Sequence, residues 1–372
     1  MGKHALLSAS SSHRWLACPP SARACEGIKE RASPYAKQGT DAHTMCEYKL
    51  KKALGHQPRS PAEDLDYFDA EMDNCSDEYC SYVMEQLEAA KEFCSDPQLM
   101  IEERLDFSKW VPDGFGTGDA VIVSDEVLHV IDFKYGLGVL VDAEDNSQMR
   151  CYALGALDTY DGIYDISTVK MTIFQPRRGN VSTAVMDKAE LLKWAEDILA
   201  PTAKLAYEGG GEFKAGDHCR FCRLKDTCRK RAEYNLELAR YDFAMPDTLG
   251  QDEIAAILPR IDELVSWGND IKEYALRQAL SGTKYDGFKV VEGRSVRRYT
   301  DEAAVASTVE DAGYDPYEKK LMGITAMTSL LGKKRFEELL GSLITKPQGK
   351  PVLVPDTDKR PAMNTAADDF KE

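Results

Sequence analysis

The sequence predicts a mixed α/β fold, a central mixed sheet flanked by helices with a helical C-terminal extension. Three observations carry that expectation. The first third of the 372 residues has helical spacing; the period then shortens to that of strands; a helix and a further strand follow, with no internal repeat and no Gly-rich phosphate loop. Helices, strands, helix and strand in that order suggest a mixed core rather than a doubly wound repeat. With 43% hydrophobic residues the chain can build sizeable cores in one elaborated domain or two.

Taken in order, "SSSHRWLACPPSAR" offers serine caps, a short amphipathic turn and a Pro-Pro break after Cys18. "QGTDAHTMCEYKLKKAL" is helical, with His43 and Glu47 four apart on one face. A second helix is expected through "SDEYCSYVMEQLEAAKEFC", starting near Ser76 or Asp77. "QLMIEERLDF", "GTGDAVIVSD" and "EVLHVIDFKYG" are rich in β-branched and apolar residues and are separated by turn residues, which reads as strands. "DNSQMRCYALGALDTY" returns to helix, "VKMTIFQP" to strand, and "AELLKWAEDILAPTAKLAYEGG" to helix before a cysteine cluster. Beyond residue 232 the texture changes. Helices interrupted near Pro259, a hairpin through "GFKVVEGRSVRRYT" and short helices through "DEAAVASTVEDAGY" are expected over 233–345. A Pro-rich, extended or disordered tail is expected over 346–372, which leaves 1–232 as the first domain.

No signal-like or membrane-length apolar run occurs, which predicts a cytosolic protein without membrane attachment. A net charge of -16 opposes nonspecific polyanion binding by the whole surface but leaves room for a local basic groove. Ten cysteines in a cytosolic chain are poor material for a disulfide framework and point to metal.

The chemistry gathers in a hairpin. "GTGDAVIVSDEVLHVIDFK" turns near Ser124-Asp125-Glu126, and that register sets Asp119 opposite Ile131 and Asp132, with Lys134 on the same face as Asp132. Two such carboxylates repel each other unless a hard cation such as Mg²⁺ or Mn²⁺ joins them. A solvated ion pair would explain Asp132 and Lys134 equally well from the hairpin alone. His43 precedes the sheet, and Gln148 and Tyr152 share a face of the helix after it.

The ordered set G-x-x-x-H, G-x-x-D, D-x-K and Q-x-x-x-Y, over residues 39–152, resembles the RecB-like branch of the PD-(D/E)XK nuclease superfamily. The resemblance implies a restriction-endonuclease-like core. It implies that His43, Asp119, Asp132 and the Phe133 carbonyl bind Mg²⁺ or Mn²⁺, and that Lys134 is the catalytic lysine. Gln148 and Tyr152 would orient the lysine or touch the DNA backbone. The final acid is Asp132 rather than Glu, and Glu102 or Glu103 on the first strand would assist.

"HCRFCRLKDTCRKR" supplies Cys219, Cys222 and Cys228, three thiols that could grip zinc or an iron–sulfur cluster with Cys18 or His218 as fourth ligand. One early cysteine and a later C-x2-C-x5-C resemble the iron–sulfur nucleases of the AddB and CRISPR-associated type. That resemblance implies a [4Fe–4S] cluster on Cys18, Cys219, Cys222 and Cys228 that staples the ends of the nuclease domain together. Cys25, Cys46, Cys75, Cys80, Cys94 and Cys151 are expected to be structural. Basic residues cluster as Arg220, Arg223, Lys225, Arg229, Lys230 and Arg231, as Arg177 and Arg178, and as Arg294, Arg297 and Arg298, where they could hold phosphates.

The expected function is a metal-dependent DNA nuclease, an exonuclease or end-processing enzyme acting on single- or double-stranded ends. The tail resembles an uncharacterised phage and prophage family, implying replication or recombination in a bacterial host cell. Any helicase or single-strand-binding or annealing protein would be a separate chain. The rival readings are a non-catalytic DNA-binding or replisome-assembly module with a structural iron–sulfur or zinc centre, and a zinc-knuckle nucleic-acid binder.

Overall fold

The computed structural model describes residues 5–28, 34–238, 249–292, 299–317 and 321–345. Contacts divide the chain into two compact units, Met1–Arg277 and Gln278–Glu372. The first is mixed α/β, as its sequence predicts. It opens with short helices α1 (Ser12–Ala17) and α2 (Ser21–Ala24), then α3 (Pro34–Ala53) and α4 (Ala70–Ala90). Helix α4 begins earlier than its Ser76 suggests. Asp69 accepts a bond from the Met72 amide (2.7 Å) and caps the helix, whereas the Ser76 hydroxyl is spent inside it on the Met72 carbonyl (2.7 Å).

The five-stranded sheet runs β1 (Gln98–Asp106), β2 (Phe115–Val123), β3 (Glu126–Phe133), β4 (Ile166–Gln175), β5 (Asn180–Asp187), each beside the next. All pairs are antiparallel except β3 with β4, which are parallel and joined through α5 (Ser147–Tyr160). Strand β5 escapes a simple hydrophobic reading because it is an edge, with Val181 and Val185 exposed. Its signal is the turn before it, where Gly179 takes the left-handed conformation (φ 58°).

Two apolar layers sandwich the sheet. Ala120, Ile122, Ile131 and Phe133 pack with Met45, Leu50, Tyr79 and Val83 of α3 and α4. Val121, Val123, Leu128 and Val130 pack with α5 and with α6 (Lys188–Trp194) and α7 (Ala200–Glu208), which a π-helical turn joins. These residues alternate along each strand, so both faces are dry and β2 and β3 read as near-continuous apolar runs.

Helix α8 (Arg229–Leu236) leads to α9 (Gln251–Leu280), which passes Pro259 without interruption. Pro259 and Ala255 are exposed, so the carbonyl that loses its helical partner can turn to water. Buried Arg231 binds Glu263 and Asp270 of α9 (2.6 Å each), Lys225 also binds Asp270 (2.6 Å), and Asp226 binds Arg277 (2.6 Å). These ion pairs tie α9 to the segment that holds the later cysteines.

The second unit contains α10 (Glu302–Asp311), α11 (Ile324–Leu331) and α12 (Lys333–Leu340). The hairpin expected over 287–300 has no strand in its described residues; 293–298, with Arg294, Arg297 and Arg298, and the tail 346–372 lie outside them. Among the described residues no helix is long and apolar enough to cross a membrane.

One buried group makes this core sensitive to acid. His129 on β3 shares a bond with the Thr172 hydroxyl (2.8 Å), and burial, with Lys170 nearby, pushes its pKa well below 6.5. Below about pH 6.5 the unfolded chain takes up a proton that the native state refuses, so this contribution to stability falls as pH falls. Calorimetric Tm is expected to drop between about pH 7 and pH 5, and His129→Gln, which cannot ionise, to flatten the drop. A profile that the substitution leaves unchanged would remove His129 as the cause.

Candidate functional site

The register of β1, β2 and β3 places three carboxylates in one row. Ile101 pairs with Ala120 and Glu103 with Gly118, which sets Glu102 opposite Asp119; Ala120 pairs with Ile131, which sets Asp119 opposite Asp132. Like charges on adjacent strands destabilise a sheet unless something offsets them. Here His43 and Lys134 do so. His43 Nδ1 lies 3.1 Å from Asp119 Oδ1, and Lys134 Nζ lies 2.9 Å from Asp132 Oδ2.

The local backbone explains how the groups meet. The ladder between β2 and β3 ends at Ala120–Ile131, and past that point the Phe133 amide donates to Asp119 Oδ2 (2.7 Å) instead of to a strand carbonyl. His43 reaches the row from α3, on the opposite layer from α5, with its ring edge-on to Phe133. Glu102 has φ 51°, a left-handed conformation strained for a glutamate. Its carboxylate forms, with His43 and Asp119, a group whose ligand atoms lie within 4.8 Å of one another, the one such His, Cys, Asp and Glu group among the described residues. Of the two candidate acids on the first strand, Glu102 therefore joins the row. Strain of this kind concentrates at functional sites.

Helix α5 supplies the other wall. Asn146 caps it by accepting from the Gln148 and Met149 amides (3.1 and 3.2 Å). Gln148 Nε2 then donates to Asp132 Oδ1 (3.1 Å) and to the Tyr152 hydroxyl (3.2 Å), while Gln148 Oε1 accepts from Lys134 (3.4 Å). Tyr152 is buried, and its ring sits where a Cβ on Gly116 would come within 2.5 Å. It holds Gln148 from behind, which suits the first of its two expected roles, orienting the lysine through Gln148.

The titration pattern follows the geometry. Burial opposes the charge on His43, but Asp119 outweighs it and raises the imidazole to about 8. Burial likewise opposes Asp119, which His43 and the Phe133 amide hold down, whereas burial lifts Asp132 despite Lys134. Glu102 is pushed up to about 7 by burial and by Asp119. Asp132 Oδ2 is buried and has no well-directed hydrogen bond, Lys134 Nζ lying close but off its axis. The His43 imidazole and the carboxylates of Glu102 and Asp119 form a donor set that suits a hard divalent cation, with Asp132 beside it on Lys134.

Cys18, Cys219, Cys222 and Cys228 line one small cavity, with His218, Phe213 and Leu224. His218, hydrogen-bonded to Cys18 and Cys219, is raised to about 10; burial works against the Cys18 thiolate, yet His218 and the Lys214 amide bring its pKa below the ordinary value. Soft thiolates with an imidazole beside them are ligands of the kind that zinc or an iron–sulfur cluster takes. Cys25 is not remote from this nest. Its sulfur touches that of Cys222 at 3.7 Å, a contact invisible in the local spacing of either residue.

The basic residues divide. Lys225 and Arg231 are committed to acids of α9 and Arg177 to Glu71 (2.9 Å) and the face of Tyr135, while the exposed Arg178 donates to the Leu137 carbonyl. Arg220, Arg223, Arg229 and Lys230 are exposed, although Arg223 binds the Ile28 carbonyl and Lys230 lies 3.5 Å from Glu233.

The fold and this site define a mixed α/β protein whose sheet gathers acids, an imidazole and a lysine at one level. The chain belongs to the family described as "Protein of unknown function (DUF2800)", whose model matches residues 4–361. It is also similar to a solved structure titled "Crystal structure of SSO0001", at 11% identity over 52% of this chain and 98% of that one, with a TM-score of 0.23. A likeness at that score carries no functional argument.

Proposed function

We propose that the protein is a metal-dependent DNA nuclease that hydrolyses phosphodiester bonds at DNA ends and carries a [4Fe–4S] cluster. The observation that carries the proposal is the meeting of Glu102, Asp119 and Asp132 with His43 and Lys134, drawn from α3 and three strands. In the ordered set of residues this resembles the RecB-like PD-(D/E)XK nucleases, with the Phe133 carbonyl as a further ligand.

His43, Glu102, Asp119 and Asp132 would hold Mg²⁺ or Mn²⁺, which when bound polarises a phosphoryl oxygen and acidifies water. Lys134, fixed by Asp132 and Gln148, stabilises charge developing on the attacked phosphate. Gln148 keeps Asp132 and Lys134 in register, and Tyr152 keeps Gln148 there. Work on phage or prophage DNA in a bacterial cytoplasm, beside a separate helicase or annealing protein, fits this chemistry.

Two experiments test the proposal. In cleavage of end-labelled DNA, Lys134→Ala is expected to slow the reaction by ~10²-fold or more while DNA binding persists. Asp119→Asn and Asp132→Asn should lose both cleavage and Mn²⁺ affinity measured by calorimetry; wild-type values in all three variants would contradict the assignment.

Cys18→Ser should bleach the brown colour of anaerobically purified protein, release iron and lower Tm, because the cluster closes a loop of about 200 residues. Cys80→Ser, on α4, serves as the neutral control. Cys25→Ser does not, because Cys25 touches Cys222. Full iron in Cys18→Ser with loss in His218→Ala would make the histidine the fourth ligand and abolish the staple.

A further inference from the structure

Between the buried Cys219 and Cys222 the chain presents two residues outward, Arg220 and Phe221. Phe221 is 74% exposed, an unusual position for a phenyl ring on a well-anchored turn. The turn is firm: the Cys219 amide bonds the Gly216 carbonyl (2.9 Å), the Cys222 amide bonds the Cys219 carbonyl (3.0 Å), and both side chains point inward. The Arg220 guanidinium lies 5.8 Å from the centre of the Phe221 ring, at the outer limit of cation–π attraction, so the ring face is left largely bare. Phe213, 40% exposed, and the exposed Lys214 repeat the pairing of aromatic and cation on the same segment.

The turn is also tied to the carboxylate row. His13 of α1 lies beside His218, with ring centres 6.4 Å apart. One residue earlier, Ser12 bonds Ser147 (2.7 Å), which directly precedes Gln148. Ser12 and His13 are adjacent at the start of α1, so this one short helix touches both the cysteine loop and the wall of the site. A lone exposed apolar residue needs no explanation. An exposed ring flanked by cations, on a rigid turn one short helix from the acids, in a chain of net charge -16, calls for one.

We propose that Phe221 and Arg220 form a nucleobase-stacking site that holds single-stranded DNA beside the carboxylate row. Stacking on an aromatic face accepts any base, and it needs the base unpaired, because paired bases hide their faces inside the duplex. Arg220, with Lys214 nearby, meets the backbone phosphates. The inference rests on the nuclease reading and adds to it a preference for single strands, set by the cysteine loop rather than by the catalytic groups.

The test is fluorescence anisotropy with a labelled thymidine oligonucleotide of about 12 nucleotides and with its duplex. Divalent ions are chelated so that nothing is cut, and iron content is checked in every sample. Phe221→Ala is expected to weaken single-strand binding by about 10-fold and leave duplex binding unchanged, and Phe221→Trp to restore it. If Phe221→Ala loses iron, Phe221→Leu decides in its place, since it keeps apolar bulk without a ring face: weakened single-strand binding supports the site. Single-strand affinity equal to wild type in the iron-replete variant overturns the stacking site and leaves the nuclease reading standing. A wild-type protein that binds neither strand form overturns both.

Discussion

The arrangement of the first unit depends on one electrostatic constraint: Glu102, Asp119 and Asp132 stand side by side on three adjacent strands. Strands in a sheet are about 4.8 Å apart, close enough that three ionised carboxylates would push the sheet open. The protein meets this repulsion with neighbours from every side. His43 comes from α3, Lys134 from the end of β3, the Phe133 amide from the frayed ladder, and Gln148 from α5. Residual stress shows in the left-handed backbone of Glu102, its suppressed ionisation and the poorly satisfied Asp132 oxygen. A divalent cation, as proposed for this site, would offset the charge of the row.

The second organising feature is the nest of thiols. Cys18 and Cys25 lie near the start of the chain, and Cys219, Cys222 and Cys228 follow the last helices packed on the sheet. Their meeting holds α1 against the segment that leads to α9, and the ion pairs of Lys225, Asp226 and Arg231 extend that clamp along α9. Because α1 also abuts the start of α5 through Ser12 and Ser147, the nest and the carboxylate row share a rigid connection.

Much of this is legible in the residues, for physical reasons. Strands β1 to β4 and helices α3 to α5 announce themselves by apolar period, and the turn at Ser124–Glu126 sets a register in which Asp119 faces Asp132. The same arithmetic applied to β1 would have chosen Glu102 over Glu103, had the turn between β1 and β2, around Phe107–Gly114, revealed its length. Other features depend on long-range contacts that local patterns do not encode. The Cys25–Cys222 contact joins residues 197 apart. The commitment of Lys225 and Arg231 to acids on α9 turns apparent phosphate-binding residues into structural ones. The unbroken α9 overrides the usual meaning of Pro259 because its lost hydrogen bond falls on the wet face of the helix.

We propose that the carboxylate row performs metal-dependent hydrolysis of DNA. Anaerobically purified, iron-replete protein incubated with end-labelled DNA, with Mn²⁺ or Mg²⁺ and again with a chelator, tests it most directly. Shortening of the labelled strand that requires the divalent ion and stops on chelation is the predicted result. DNA left intact under every metal condition, by protein that binds it, would contradict the account and favour a DNA-binding module with a structural metal centre.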